Sequence, residues 1–315
     1  MHRTTADLPL VAIVGPTGSG KSTVALRIAE TFEGEVVNCD SLQLYRGFDL
    51  GTAKLPPAER RGISHHMLDV LDPSEVYSAG EYARRARRII REISTCGHLP
   101  VIAGGTGFYL SALLNGLPPL PERDPALRDR LAARETLRPG ILHRLLRRLD
   151  PPAAARIHAR DLQKTIRALE VRLLTRHSLP PPAAAEPFGG YRTLKIGLNP
   201  SREDLHQLLD ARAEEMFRSG LIDEVQRLLS DGCTGPCTGK EKPFESLGYK
   251  QALQYLAGQG TLDQAIASTQ LETRQYAKRQ WTWFRHDPEV IWLPGFGTSP
   301  AILAECMELV RRFVS

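Results

Sequence analysis

The stretch from residue 15 to residue 22, Gly-Pro-Thr-Gly-Ser-Gly-Lys-Ser, constrains this chain more than any other feature. It fits the phosphate-binding loop pattern of glycine, four residues, and then Gly-Lys-Ser or Gly-Lys-Thr. The apolar run Leu8–Val14 before it predicts a buried strand, and Ser22–Phe32 after it predicts a helix. The motif requires a strand, a glycine-rich loop and a helix in this order, so the chain is predicted to bind a polyphosphate.

The residues of this loop have distinct predicted roles. Its glycines let the backbone curl so that N–H groups point inward at the positive end of a helix. Lys21 adds a positive charge, and the Ser22 hydroxyl can bind a magnesium ion that bridges the phosphates. The predicted phosphate-binding residues are Gly15, Pro16, Thr17, Gly18, Ser19, Gly20, Lys21 and Ser22. The motif alone does not identify the polyphosphate or its fate.

Positive charge is concentrated in the middle of the 315 residues. The net charge is +5, yet the segment Glu122–Arg176 holds 14 Lys and Arg against 7 Asp and Glu. Charge alone leaves two interpretations open, an acidic partner such as nucleic acid or a solvated arginine-rich helical face. No apolar run approaches the length of a membrane span, and the N-terminus does not have the pattern of a secretory signal. We therefore expect a cytoplasmic protein with no membrane partner.

The order of strand and helix patterns predicts the architecture. Residues 8–115 alternate the two patterns, which predicts an α/β fold with a parallel sheet and helices on both faces. Prolines at 117–121 end this alternation, and an Arg/Leu/Ala-rich segment with helical spacing follows. A second proline-rich stretch, Pro180–Pro187, predicts a linker or exposed loop. The predicted domains are a P-loop core over 1–120, a mostly helical, basic insertion over 121–187, and the rest of the core with C-terminal helices over 188–315.

The strand Leu99–Ala103 ends in Gly104-Gly105-Thr106-Gly107 and has no carboxylate at its tip. Nucleotide hydrolases commonly use a carboxylate there to hold magnesium, so this end counts against simple ATP hydrolysis. Gly104 and Gly105 indicate either a close approach of the backbone to a ligand, with Thr106 as an orienting group, or a tight strand-to-helix turn.

Asp40 is the carboxylate available near the predicted phosphate site. It follows the predicted strand Glu35–Asn38, at the edge where open α/β sheets bind their ligands. Asp40 could be a magnesium ligand, a general base or a helix cap. Ser41 and Gln43 add more hydrogen-bonding capacity than a cap uses, and Gln43 can pair with an adenine edge.

Further motifs extend in order over nearly the whole chain. They are Asp40–Tyr45, Asp49–Lys54, His65–Asp69, Gly104–Leu110, Arg167–Val171, Glu245–Lys250 and Thr273–Arg285. Together with the phosphate-binding loop, this series closely resembles the tRNA dimethylallyltransferases, also called tRNA isopentenyltransferases.

The resemblance implies a reaction and its catalytic residues. The family transfers a dimethylallyl group from dimethylallyl pyrophosphate to N6 of adenosine 37, beside the anticodon of tRNA. The loop would then hold a pyrophosphate leaving group, stabilised by Lys21, Arg212 and Mg²⁺. N6 is a poor nucleophile because its lone pair is delocalised into the ring, so a base must remove a proton. Asp40 is the candidate base, and Thr106 would orient the reacting groups.

The resemblance also implies three tRNA-binding segments and a set of partners. The residues are Asp40, Ser41, Leu42, Gln43 and Thr106, then Gln163, Lys164, Thr165, Ile166 and Arg167, then Arg274, Lys278 and Arg279. Lys164 stands where the family usually has arginine, and lysine lacks the bidentate fork of that side chain. We expect a monomer whose partners are the anticodon stem-loop of tRNA and dimethylallyl pyrophosphate.

Two other function classes fit the same core. An adenylate isopentenyltransferase or a nucleotide kinase would act on a small molecule, which needs neither the basic insertion nor the basic helix around Arg274. A non-catalytic RNA-binding protein could use a nucleotide as a switch. The lack of a carboxylate after Ala103 and the pairing of Asp40 with Thr106 disfavour that interpretation.

Overall fold

A computed structural model of the protein describes residues 7–181, 186–230 and 235–315. One sheet of six parallel strands confirms the predicted α/β class. The strands are β1 (Leu8–Val14), β2 (Gly34–Asn38), β3 (His65–His66), β4 (Leu99–Ala103), β5 (Tyr191–Leu198) and β6 (Val290–Leu293). Their order across the sheet is β3, β2, β4, β1, β5, β6. Because the strand order reverses around β1, the loops after β1, β2 and β4 meet at a crevice on the carboxyl edge.

The α-helices follow the strands along the chain. They are α1 (Lys21–Thr31), α2 (Ala79–Thr95), α3 (Gly107–Asn115), α4 (Pro125–Leu137), α5 (Ile141–Leu149), α6 (Pro151–Arg156), α7 (Leu162–Thr175), α8 (Arg202–Arg218), α9 (Leu221–Ser230), α10 (Tyr249–Leu256), α11 (Leu262–Phe284) and α12 (Pro300–Val314). Two short 3₁₀ helices span Pro57–Arg60 and Lys242–Glu245. No helix in the described ranges combines the length and apolar character that a membrane crossing needs.

Alternate residues of β1 belong to two different apolar clusters. Leu10, Ala12 and Val14 pack with α2 and α3, whereas Val11 and Ile13 pack with α1 and α12. All five are at most 1% exposed. A strand that is buried on both faces reads as a continuous apolar run, which explains why Leu8–Val14 contains little polar character.

One helix expected from the sequence is two helices. The pattern over 202–230 predicts a continuous helix, and this prediction is wrong because the chain turns at Gly220, which has φ +100°. Glycine reaches this left-handed region without the steric cost that a Cβ brings. The turn ends α8 at Arg218 and starts α9 at Leu221.

The chain divides into two compact units, Met1–Leu114 with Phe188–Ser315 and Asn115–Pro187. The first unit contains the sheet. The second contains α4 to α7 around its own apolar cluster, which includes Leu131, Leu142, Leu146, Ile166 and Leu169. The boundary predicted after residue 120 comes later than this division. The proline run already belongs to the second unit, where Arg167 donates to the Pro121 carbonyl at 2.7 Å. Residues 182–185 of the predicted linker lie outside the described residues.

A buried carboxylate of α9 holds the backbone that follows the carboxyl end of β2. Glu224 is 4% exposed and accepts hydrogen bonds from the N–H groups of Asp49, at 3.2 Å, and Leu50, at 3.0 Å. Its other donor is the Tyr249 hydroxyl, which itself accepts a bond from the Gly51 N–H at 3.2 Å. Burial raises the pKa of Glu224, and the bonds from these donors oppose that rise.

We expect Glu224→Ala to lower the free energy of unfolding by about 3 kcal/mol, since the buried Tyr249 hydroxyl and two part-buried N–H groups lose their acceptor. Urea unfolding followed by circular dichroism measures the change. The control is Glu214→Ala, which removes an exposed carboxylate paired with Arg218 on α8 and should cost less than about 1 kcal/mol. Similar losses in the two variants would contradict the role assigned to Glu224.

Candidate active site at the carboxyl edge of the sheet

The phosphate-binding loop connects β1 to α1 in a conformation that only glycine permits at two positions. Gly15 has φ +136°, and a Cβ there would lie 2.7 Å from the Leu198 carbonyl oxygen. Gly20 has φ +90°, and a Cβ there would lie 3.0 Å from the Gly297 nitrogen. Both backbone conformation and neighbouring chain therefore require glycine, so the loop is a tightly packed cradle.

The N-terminus of α1 is left open to an anion. Gly20 supplies no side-chain cap and the first turn has no acidic residue, whereas Ser78, Ser201 and Thr261 cap α2, α8 and α11. The first N–H groups of a helix have no intrahelical partner and carry the positive end of its dipole. The buried Ser19 hydroxyl also has no hydrogen-bond partner among the described residues. Phosphate oxygens would satisfy these groups.

Two cations and one carboxylate meet beside this loop. Lys21 is half-buried and donates to the Pro16 carbonyl at 2.7 Å. Burial lowers the pKa of Lys21 to about 8, the negative charge of Asp40 opposes this, and the positive charge of Arg212 adds to it. Burial likewise lowers the pKa of Arg212 on α8, again opposed by Asp40. The excess of positive charge suits a pyrophosphate.

Asp40 lies in a turn directly after β2. Its N–H donates to Oδ1 of Asn38 at 3.0 Å, and its Oδ1 accepts from the Leu42 N–H at 3.0 Å. The Asn38 amide also donates to the carbonyls of Asp40, at 3.0 Å, and Met67, at 2.8 Å. Asp40 thus makes the local bond expected of a capping residue. Its Oδ2 accepts no hydrogen bond from the described part of the chain, which leaves it for a ligand.

Thr106 joins the end of β4 to the Asp40 turn. Its Oγ1 accepts from the Ser41 N–H at 3.1 Å, and its own N–H donates to the Cys39 carbonyl at 3.1 Å. The Tyr276 side chain, on α11, lies near Thr106. Burial raises the pKa of Tyr276, the negative charge of Asp40 raises it further, and Thr106 opposes the rise. Tyr276 is not among the residues that the sequence predicts for catalysis or binding, so it is an addition to the site.

The glycines after β4 make room for other parts of the protein. A Cβ on Gly104 would lie 2.2 Å from the Cys39 carbonyl carbon, and one on Gly107 would lie 2.1 Å from Cδ1 of Trp283. A Cβ on Gly105 would lie 2.1 Å from the side-chain nitrogen of Gln280. The structure thus favours a tightly packed turn over a close approach of ligand to Gly104 and Gly105.

The predicted tRNA-binding residues of the core unit differ in how much of each side chain is free. Gln43 is half-buried and donates to the Thr52 carbonyl at 3.0 Å. Arg274 forms an ion pair with Asp210 of α8. Lys278 and Arg279 are exposed, and the Arg279 guanidinium lies 5.7 Å from the centre of the Tyr276 ring. Ser41 and Leu42 lie in the Asp40 turn.

The predicted tRNA-binding residues of the insertion lie on the first turns of α7. Thr165 and Ile166 are buried, at 1% and 4% exposure, and belong to its interior. Arg167 pairs with the fully buried Glu170 at 2.5 Å. Gln163 and Lys164 are exposed, and Lys164 contacts Asp161 at 2.9 Å. Gln163 and Lys164 therefore offer the most accessible polar groups of this segment.

The donor set fits a magnesium ion that arrives with phosphates. No group of three or more His, Cys, Asp or Glu residues in ranges 7–181, 186–230 and 235–315 could hold a metal by itself. Magnesium commonly uses one or two protein oxygens together with substrate phosphates and water. Ser22 is exposed on the first turn of α1, and Asp40 follows the carboxyl end of β2, which β4 separates from β1 in the sheet. These two side chains supply oxygens of the required kind.

Comparison with known proteins gives consistent matches over almost the full length. The profile of the IPP transferase family matches residues 43–287. A tRNA dimethylallyltransferase of Solibacter usitatus is 57% identical over 309 residues, covering 98% of this chain and 99% of that protein. One from Koribacter versatilis is 48% identical, with 97% and 99% covered.

Solved structures agree with the sequence matches. The full-length tRNA isopentenylpyrophosphate transferase from Bacillus halodurans has a TM-score of 0.71 and 35% identity, with 97% of this chain and 96% of that chain covered. A eukaryotic dimethylallyltransferase acting on tRNA has a TM-score of 0.78 and 28% identity, with 94% and 77% covered.

Proposed function

This chain belongs to the IPP transferase family, and from that premise we propose that it prenylates N6 of adenosine 37 in tRNA, using dimethylallyl pyrophosphate as the donor. The matched proteins are tRNA dimethylallyltransferases, so the chain is a prenyltransferase that acts on tRNA. One observation carries the more specific proposal. The phosphate-binding loop, Asp40 and Thr106 belong to three adjacent strands and meet at one edge of the sheet.

The loop side of the site would hold the leaving group. As the bond between C1 of the dimethylallyl group and the pyrophosphate oxygen breaks, negative charge builds on that oxygen. Lys21, Arg212 and the free N–H groups of α1 are positioned to stabilise this charge electrostatically. When bound, magnesium held by Ser22 would neutralise part of the same charge. No separate hydrolysis of ATP is required.

The turn side of the site would activate the acceptor. N6 of adenine forms the new bond to C1 while its proton passes to a base, and the free Oδ2 of Asp40 is the proposed acceptor of that proton. Thr106 fixes the Asp40 turn through the Ser41 N–H, and Tyr276 contributes a second hydroxyl there. The adenine must leave the anticodon stack to reach this position, which favours a single-stranded loop as substrate. We also propose the cytoplasm, where bacterial tRNA is found, as the site of action.

Product analysis tests the reaction directly. The protein is incubated with dimethylallyl pyrophosphate, magnesium and either unmodified tRNA or AMP, and the nucleosides are analysed by mass spectrometry. We expect prenylated adenosine from tRNA alone, at position 37. Prenylated AMP would indicate an adenylate isopentenyltransferase, and binding of tRNA without product would indicate a non-catalytic RNA-binding protein.

Exposed cations of α11 should contribute to tRNA binding through phosphates. We expect Lys278→Gln and Arg279→Gln each to weaken binding by roughly threefold to tenfold and to reduce the salt slope by about one. Filter binding of tRNA between low and moderate salt measures both quantities. Lys242→Gln is the control, since this exposed lysine belongs to a distant segment of the sequence and pairs with Glu245. An unchanged slope in both α11 variants would assign the RNA surface elsewhere.

The paired arginines need a separate test. Arg167→Gln and Arg274→Gln remove charges that are implied to contact tRNA, but each also breaks an ion pair with Glu170 or Asp210. Arg167→Gln would leave the buried Glu170 with one arginine, Arg128. We therefore expect Arg167→Gln to lower thermal stability as well as tRNA affinity. Weakened tRNA binding at unchanged melting temperature would show that the Arg167 charge acts mainly on RNA.

A further inference from the structure

We infer that Gln280 of α11 is a positioning residue that sets the distance between the pyrophosphate loop and the acceptor turn. The inference deepens the proposed function and rests on it. Gln280 is not among the residues that the sequence motifs or the family resemblance pointed to for catalysis or binding. Its role follows from the two loops that its amide connects, because loss of the amide would leave both loops without this connection.

The Gln280 amide connects two loops that are distant in sequence. Its Oε1 accepts a hydrogen bond from the Thr17 N–H at 2.7 Å, and its Nε2 donates to the Gly105 carbonyl at 2.9 Å. Thr17 is in the phosphate-binding loop, and Gly105 directly precedes Thr106. The side chain is 5% exposed, so water does not compete for these bonds. One amide thus joins the loop after β1 to the loop after β4.

The polarity of the two bonds fixes the orientation of the amide. The Thr17 N–H faces the amide oxygen of Gln280, and the Gly105 carbonyl faces its amide nitrogen. A flipped amide would therefore lose both bonds. The Tyr276 side chain, one turn earlier on α11, lies near the side chains of both Gln280 and Thr106, which oppose the burial-induced rise of its pKa. Gln280 and Tyr276 therefore present one face of α11 to both halves of the proposed site.

This connection controls the distance between the reacting atoms, on which the rate of group transfer depends steeply. The pyrophosphate loop holds the group that leaves, and the turn with Thr106 and Asp40 holds the nucleophile. Reacting atoms must lie about 3 to 3.5 Å apart, and a misplacement near 1 Å can cost a hundredfold in rate. In addition, the bond to Gln280 occupies the Thr17 N–H, so this N–H is not among the loop groups left open to a phosphate, although Thr17 was predicted to bind one.

Gly105 supplies the space that Gln280 occupies. A Cβ on Gly105 would lie 2.1 Å from Nε2 of Gln280, which is too close for both to keep their positions. The φ of Gly105 lies outside the left-handed region, so alanine is compatible with its backbone. Glycine at 105 is thus needed for the neighbouring side chain and not for the local conformation.

A double-mutant cycle on Gly105 and Gln280 tests the inference. We expect Gln280→Ala to lower kcat for tRNA prenylation roughly 30- to 100-fold, with the Kd for tRNA changed by less than about threefold. Gly105→Ala should lower kcat by a similar factor, since the new Cβ displaces the amide. The double variant should be no slower than Gln280→Ala, because the clash is then gone. Additive losses would overturn the inference by assigning Gly105 to substrate contact.

Controls separate positioning from stability and from the proposed function. Gln251→Ala removes another buried glutamine, bonded to the Gly248 N–H at 2.9 Å, and should change melting temperature without changing kcat. Gln280→Ala with kcat within twofold of the wild type would overturn the inference. If the wild type does not prenylate tRNA, the proposed function fails. The affinity for inorganic pyrophosphate, measured by calorimetry, still tests the role of Gln280. The expected result there is roughly tenfold weaker binding in Gln280→Ala, and equal binding would overturn the inference.

Discussion

Replacement of Asp40 by alanine is expected to lower the rate of prenyl transfer about a thousandfold, while tRNA binding weakens by less than tenfold. The proposed reaction requires a proton to leave N6 as the carbon–nitrogen bond forms, and Asp40 is the proposed acceptor. Single-turnover measurements at saturating dimethylallyl pyrophosphate report the chemical step, and filter binding reports tRNA affinity. Equal losses in both quantities would assign Asp40 to binding and not to catalysis.

Asp40→Asn separates the two roles that the carboxylate could have. Asparagine keeps an Oδ1 that can accept the Leu42 N–H, so the turn after β2 should be retained. It cannot accept a proton at neutral pH, so transfer should be as slow as in Asp40→Ala. Substantial activity in Asp40→Asn would show that the carboxylate matters for the turn and not as a base.

The second large effect is expected at Lys21. Lys21→Ala removes a half-buried cation from the pyrophosphate loop, and we expect kcat/KM for dimethylallyl pyrophosphate to fall by about 100- to 1000-fold. The Kd for tRNA measured without the donor should stay within about threefold. A loss of tRNA binding as large as the loss of transfer would contradict the assignment of Lys21 to the leaving group.

The pKa of Lys21 gives this residue a pH signature. Burial places that pKa at about 8, with Asp40 opposing the shift and Arg212 adding to it. The protonated form attracts the pyrophosphate, so donor affinity should be constant below about pH 8 and should decline as the pH rises above it. Lys21→Arg keeps its charge through this range and should bind the donor equally at pH 7 and pH 9. The same decline in both proteins would assign the titration to another group.

Local patterns were sufficient to predict most of the sheet. The strands Leu8–Val14 and Leu99–Ala103 have the predicted bounds, because a buried parallel strand reads as an apolar run between loop residues. β3 was missed, since His65–His66 is too short and too polar to show a period. The helix over 202–230 was predicted as one because a single glycine does not reveal its φ.

Some residues of the candidate site could likewise be predicted from the sequence, and others could not. Lys21, Asp40 and Thr106 stand in short motifs next to strands, and such motifs can be recognised in one sequence. Gln280 and Tyr276 belong to a helix whose aromatic residues suggest ordinary core packing. Their contribution depends on contacts with residues far away in the chain, for which no local periodicity exists. Sequence likewise shows that Arg167 and Arg274 are charged, but not that Glu170 and Asp210 pair with them.

The bond between Thr17 and Gln280 joins residues separated by 263 positions, which has a consequence for synthesis of the protein. A ribosome completes the phosphate-binding loop almost at the start of translation and adds Gln280 near its end. During most of synthesis the emerging loop therefore lacks the amide that places it opposite the acceptor turn. Polypeptides released early, before α11, would retain the phosphate motif yet lack transferase activity, so an interrupted message yields an inert product.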